Sequence, residues 1–153
     1  MQIRTQNLLF PLVVDAAGWP PVGSESIPAE VHTNGNFSIV KPPLFVKDLS
    51  VCDRISVEFD DRGAVRSWKH VQRSGNSTVW VLQGAASNLD ELASHFLELK
   101  CNIERFSEIG LFSVDVPPHV SEPALDRMID KCKADGGYVA VPAFRFVGPT
   151  SNA

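Results

Sequence analysis

The stretch from Ser77 to Phe146 constrains the chain most, because its hydrophobic period changes in a fixed order along it. Ser77–Leu82 is a β-branched and aromatic run that follows the turn-forming Ser74-Gly75-Asn76, and Gly84-Ala85-Ala86 ends it. Asn88 then stands where a helix N-cap belongs, with Glu91 at capping-box spacing. Leu89, Leu92, Phe96, Leu99 and Ile103 recur in steps of three and four, so a single helical stripe carries them. Asn102, tolerant of a left-handed backbone, is the expected stop. Two strands follow, Ile103–Phe106 and Leu111–Val116, joined by Ser107-Glu108-Ile109-Gly110. In the second, Phe112, Val114 and Val116 alternate with Ser113 and Asp115, the pattern of a strand with one buried face. Pro117-Pro118 breaks it. Ser121 caps a second helix that carries Glu122, Pro123 and Asp126 in its first turn, buries Leu125, Met128, Ile129 and Cys132, and stops at Gly136-Gly137. Tyr138–Val141 is the last strand, and Pro142 assigns it to a sheet edge.

That order, β-α-β-β-α-β, is the split β-α-β arrangement of the ferredoxin-like fold. Right-handed crossovers put both helices on one face of a four-stranded antiparallel sheet. The other face, made by Thr78, Trp80 and Leu82 or else by Val79 and Val81, then needs a cover.

The upstream chain reads as a smaller β-rich half. Leu8–Val14 is apolar enough for a strand; its apolar run is short, contains Pro11 and closes at Asp15, which argues against a signal peptide. A rigid turn over residues 15–21 places Trp19 at the junction between halves. Glu25–Thr33 and Asn36–Val40 flank Asn34-Gly35, a strong hairpin signal. Asp53–Phe59 and Ala64–Arg73 flank a second turn at Asp60-Asp61-Arg62-Gly63. The fold class is therefore α+β: residues 1–76 as an antiparallel half, either barrel-like or a curled sheet, or else strands that extend the ferredoxin-like sheet or cap its bare face; residues 77–146 as the ferredoxin-like unit; and residues 147–153 as a tail, packed as one compact domain.

Charge is unevenly placed. Residues 1–76 hold eight acids and eight bases, whereas residues 77–153 hold ten acids and six bases, so the whole net charge of −4 falls in the second half. A nucleic-acid binder leans the other way, and no membrane span is present. Cys52, Cys101 and Cys132 are odd in number and widely spaced, which gives no disulfide framework and no zinc pattern; a reducing cytoplasm is expected.

Several short motifs add up to a resemblance. Gly18-Trp19-Pro20-Pro21-Val22 precedes Glu25 and Ala29; Phe45-Val46 precedes Leu49-Ser50 and Asp53; then come Arg73-Ser74-Gly75-Asn76-Ser77-Thr78-Val79 and Val114-Asp115-Val116-Pro117-Pro118. From about Leu9 to Val141 the chain resembles a family of small bacterial proteins known only as a domain of unknown function. Where that pattern has Gly before the aspartate, this chain has Cys52, which weakens the idea of one fixed backbone role for the loop. The resemblance implies a cytoplasmic bacterial protein and carries no reaction.

No residue set points to bond-making chemistry. His32, His70, His95 and His119 are scattered without metal-ligand spacing, so no metal and no cofactor is expected. Cys52-Asp53 lacks an identifiable partner histidine, and Asp60-Asp61 reads as turn chemistry. Arg62, Arg66, Lys69, His70 and Arg73 around Trp68 could touch a single-stranded nucleic acid, but a solvated strand face explains them as well. Gly84–Asn88 could hold an anion on its amides but reads more simply as a β-α turn. The broadest single-sign surface is acidic, and Asp90, Glu91, Glu98, Glu122, Asp126 and Asp130 are its candidate partner-binding residues. The expected function is a non-enzymatic cytoplasmic binding protein, an immunity protein or antitoxin covering the cleft of a basic nuclease-type toxin. The alternative is a small-molecule-binding regulatory or enzymatic domain that uses the bare sheet face. Edge strands at Ile103–Phe106 and Tyr138–Val141 leave homodimerisation open.

Overall fold

A computed structural model describes residues 3–146; the tail expected at 147–153 lies outside the described residues. The architecture is α+β, with two helices and two antiparallel sheets. Strands β1 (Thr5–Pro11), β2 (Ser24–Val31), β3 (Phe37–Ile39), β4 (Arg54–Phe59) and β5 (Val65–Gln72) form a meander in chain order. Alternate residues Leu8, Phe10, Ile27, Ala29, Phe37, Ile39 and Ile55 line its buried face. The sheet curls until Phe10 on β1 meets Trp68 on β5 edge-on, with ring centroids 6.2 Å apart. No ladder joins β1 to β5, so the barrel-like alternative is set aside and the sheet stays open. The first strand begins and ends three residues earlier than the expected Leu8–Val14, because Leu8 and Phe10 are the residues that find a core. At the β2–β3 hairpin Gly35 takes φ 85°, and Asn34 Oδ1 accepts the Asn36 amide.

The second half runs β6 (Ser77–Leu82), α1 (Leu89–Glu98), β7 (Asn102–Phe106), a single 3-10 turn (Ser107–Ile109), β8 (Leu111–Val116), α2 (Glu122–Ala134) and β9 (Tyr138–Ala143). The sheet order is β7-β8-β6-β9, antiparallel throughout. Val79, Val81, Phe112, Val114 and Val116 face the helices and join Leu92, Phe96, Leu125, Met128 and Cys132 in one core. Asn88 caps α1 by accepting the amides of Asp90 and Glu91, and Ser121 caps α2. Pro142 does sit in the edge strand β9, opposite a register shift between Thr78 and Trp80.

Three local expectations are corrected. Helix α1 stops at Glu98, and Lys100 (φ 61°) takes the left-handed position, while Asn102 begins β7 and Ile103 belongs to the sheet. Strand β8 is buried on both faces, not one: Ser113 is fully buried and Asp115 nearly so. The departure at Cys52 does not loosen the loop, because Cys52 holds φ 70°, the left-handed region that glycine would occupy without strain.

The cover for the second sheet comes from the first half. Residues 42–50 lie across Thr78, Trp80 and Ser113. Trp80 donates its indole N–H to the Pro43 carbonyl at 2.7 Å, and the Ser113 hydroxyl donates to the Pro42 carbonyl at 3.0 Å. Ser50 and Thr78 share a hydroxyl–hydroxyl bond of 2.7 Å, and Thr78 also donates to the Leu49 carbonyl. Glu25 on β2 holds this strap in place, its carboxylate accepting the amides of Leu44, Phe45 and Val46 at 2.6, 2.9 and 3.1 Å. Burial pushes the Glu25 carboxyl above its ordinary range, against the three amides that pull it down; nearby Glu104 adds to the rise.

Candidate functional site

Two features lie where the sheets meet: a buried polar knot and an aromatic cleft. The knot is built on Asp53, which has no exposed surface. The Ser50 amide donates to it from one side and the Ser74 amide from the other, at 3.0 and 2.7 Å. Arg145, just past β9, closes a two-pronged bond on it with Nη1 and Nη2 at 2.8 and 2.9 Å, and Nη1 also donates to the Ser74 carbonyl. His70 Nε2 lies 3.0 Å from Asp53, and Arg73 pairs with Asp48 at 2.9 Å on the rim. Burial alone would raise the Asp53 carboxyl, but Arg145, the two amides and His70 together hold it below its ordinary range.

His70 and Asp53 supply a base and its carboxylate, yet no hydroxyl or thiol bonds to His70 among the described residues. Nor is a thiolate at hand. Burial raises the Cys52 thiol, helped by the carboxylates of Asp115, Glu30 and Asp53, and burial pushes Cys101 and Cys132 up to about 11. Among the described residues no group of three or more His, Cys, Asp or Glu side chains is placed to hold a metal ion. The knot is a tie between the sheets.

The cleft beside it has about 500 Å³ of space, within the span of small-molecule sites. All three tryptophans of the chain line it: Trp19 from the turn after β1, Trp68 from β5 and Trp80 from β6. Trp19 packs edge-on against Phe45 of the strap at 5.9 Å, and remains 44% exposed, so it roofs the junction without plugging it. Trp19 and Trp80 also border a second, apolar trough of about 290 Å³ that runs over Leu82 and Leu111 to Tyr138 on the β9 edge. The Asp15 Oδ1 atom accepts the Ala17 and Trp19 amides, which fixes the turn that presents the Trp19 ring.

The acidic set expected to meet a partner sits on the helical layer, on the far side of the second sheet from this cleft. Asp90, Glu91, Glu98, Asp126 and Asp130 are exposed and Glu122 is half-buried. Asp90 is bound by Arg105, and α2 interleaves its acids with Arg127, Lys131 and Lys133, so the layer is not of one sign. The basic row on β5 is largely spoken for: Arg66 pairs with Glu58, Arg73 with Asp48, and His70 turns inward to Asp53. The Gly84–Asn88 loop is closed on itself, with Ser87 Oγ accepting the Gly84 amide and Asn88 capping α1. No helix among the described residues is long and apolar enough to cross a membrane.

Sequence reasoning did not find the Asp53–Arg145 pair or the meeting of the tryptophans. Their separation explains this: Asp53 and Arg145 are 92 positions apart, with only closure of both sheets bringing them together. The one available signal was the motif set itself, whose members touch in space. Trp19 packs on Phe45, Glu25 binds the Phe45 and Val46 amides, Ser50 bonds Thr78, Asp53 binds the Ser74 amide, and Asn76 donates to Asp115 at 2.8 Å.

These features define an α+β fold whose two antiparallel sheets are tied by a strap and a buried ion pair. The chain belongs to the family described as a domain of unknown function, DUF4265, whose profile matches residues 25–140. Among solved structures it is similar to a hypothetical protein from Neisseria gonorrhoeae, with a TM-score of 0.71 and 18% identity, over 93% of this chain and 98% of that one. That likeness shows the fold. No curated protein matches.

Proposed function

We propose that this chain is a binding protein, not a catalyst, and that its site is the cleft between the two sheets. A single observation carries the reading: every tryptophan in the chain, together with Phe10 and Phe45, converges on one open hollow of about 500 Å³. Aromatic walls of this kind bury flat apolar ligands through area and ring geometry. The strand order β7-β8-β6-β9 with both helices on one face supports a ferredoxin-like unit whose opposite face is partly roofed by the strap and partly left to ligand. A role as a sensor or carrier of a small molecule follows. All three tryptophans line the cleft, and Trp68 does not border the neighbouring trough, so tryptophan emission that changes in wild type but not in Trp68→Phe reports on the cleft. A library of planar aromatic compounds should contain members that shift both the emission and the melting temperature, and Trp19→Ala should weaken the response. If no planar compound moves either signal, the cleft is only a seam.

A second reading rests on the helical layer. Glu91, Glu98, Asp126 and Asp130 are exposed and enter no ion pair among the described residues. They would suit a cationic protein surface, as in an immunity protein of the cytoplasm that covers a basic nuclease-type toxin. Complex formation with a toxin encoded beside the gene should weaken steeply with salt and be lost in a Glu91→Lys, Asp126→Lys, Asp130→Lys variant. Failure of the pair to associate on co-expression removes this reading. The interleaved bases of α2 place it behind the cleft.

A further inference from the structure

We propose that the cleft selects a planar aromatic carboxylic acid, with its ring system among Trp19, Trp68 and Trp80 and its carboxylate on Lys47; this rests on the cleft being the binding site. The argument is a count of donors against acceptors. Trp80 spends its indole N–H on the Pro43 carbonyl, and it is the only tryptophan with an intramolecular acceptor among the described residues. The indole N–H groups of Trp19 and Trp68 remain as donors. Lys47, on the strap and exposed, lines the same cleft and enters no ion pair among the described residues. Its neighbour Asp48 is taken by Arg73 and Arg145.

The one carboxylate lining the cleft, Asp15, already accepts two amides through Oδ1 to build the Trp19 turn. Among the lining side chains, Lys47 and the two indole N–H groups stand against the one remaining Asp15 oxygen, Oδ2, so donors exceed acceptors around an apolar floor. A ligand complementary to that arrangement is flat, apolar over most of its area, and carries acceptor oxygens and one negative charge at its edge.

Isothermal titration calorimetry on the full chain with indole-3-acetate, indole-3-acetamide and tryptamine separates charge from shape. The acid should bind about two- to fivefold more tightly than the amide, since a partly solvated ion pair contributes that order of preference. Tryptamine should bind least. Lys47→Met, at an exposed position, should erase the acid's lead and leave the amide's affinity alone. Trp19→Ala should weaken all of them. Should the amide or the amine match the acid, or should the acid's lead survive in Lys47→Met, the charge assignment is wrong while binding in the cleft stands. Should none of the probes bind the wild-type chain, this inference falls, while the cleft reading is decided separately by the library of planar compounds.

Discussion

Asp53 is the residue on which most of the junction converges, and its protonation governs the acid side of stability. Its carboxyl is held below the ordinary value of 3.8, so the folded state binds that proton later than the unfolded chain does. The stabilisation is complete above the unfolded value and is lost as pH falls through the lower, folded one. Urea unfolding across a pH series should show a steep loss below about pH 4 that Asp53→Asn flattens. At neutral pH the same variant leaves the Arg145 side chain, 7% exposed, with only its longer 3.5 Å contact to Asp48 as counter-charge, and should be about 3 kcal/mol less stable. An Asn variant as stable as wild type would mean the pair is ornamental. Cys52 works in the opposite sense. A side chain at φ 70° carries left-handed strain, so Cys52→Gly should raise stability by about 0.5–1 kcal/mol after the greater freedom of glycine in the unfolded chain is deducted. Thermal melts of the two proteins decide it.

At the scale of elements, the strap over residues 42–50 has no ladder of its own and is held mainly by side chains, with one backbone bond from the Asp48 amide to the Pro142 carbonyl of β9. Glu25 satisfies three consecutive amides, and Glu25→Ala should cost about 2 kcal/mol by leaving them without acceptors. The loosened strap should also expose Trp80, seen as a red shift of emission. Gly84 just past β6 presents a different constraint: a Cβ there would lie 2.1 Å from the Gly136 carbonyl oxygen, so the β6–α1 and α2–β9 connections approach backbone to backbone. Gly84→Ala should cost about 1–3 kcal/mol through that overlap, measurable by chemical denaturation. A neutral outcome would require the β9 end of the sheet to shift freely.

Across the whole molecule, the two sheets share polar bonds that neither could make alone. The β6–β9 sheet exposes Thr78, Trp80 and Ser113 if residues 42–50 are removed. A fragment spanning residues 77–146 should therefore bind a hydrophobic dye and show no cooperative melt, whereas the full chain should unfold in one transition. A well-folded fragment would show that the strap is a late addition to a self-sufficient unit. The acidic excess of the second half is spread over a helical layer that also holds Arg127, Lys131 and Lys133, so net charge alone did not locate a surface.

Local pattern was enough for the elements. The stripe Leu89, Leu92, Phe96, the caps Asn88 and Ser121, and the Asn34-Gly35 turn each act within a few residues, and each appears where its spacing places it. Element type and order, an α+β chain with β-α-β-β-α-β in its second half, were thus written in short-range preferences. Which face of β6 meets the helices, the burial of Ser113 and Asp115, the capture of Arg145 by Asp53 and the meeting of Trp19, Trp68 and Trp80 were decided only by tertiary closure. Those contacts join residues tens of positions apart, and their energies exist only once both sheets have formed and water has been excluded between them.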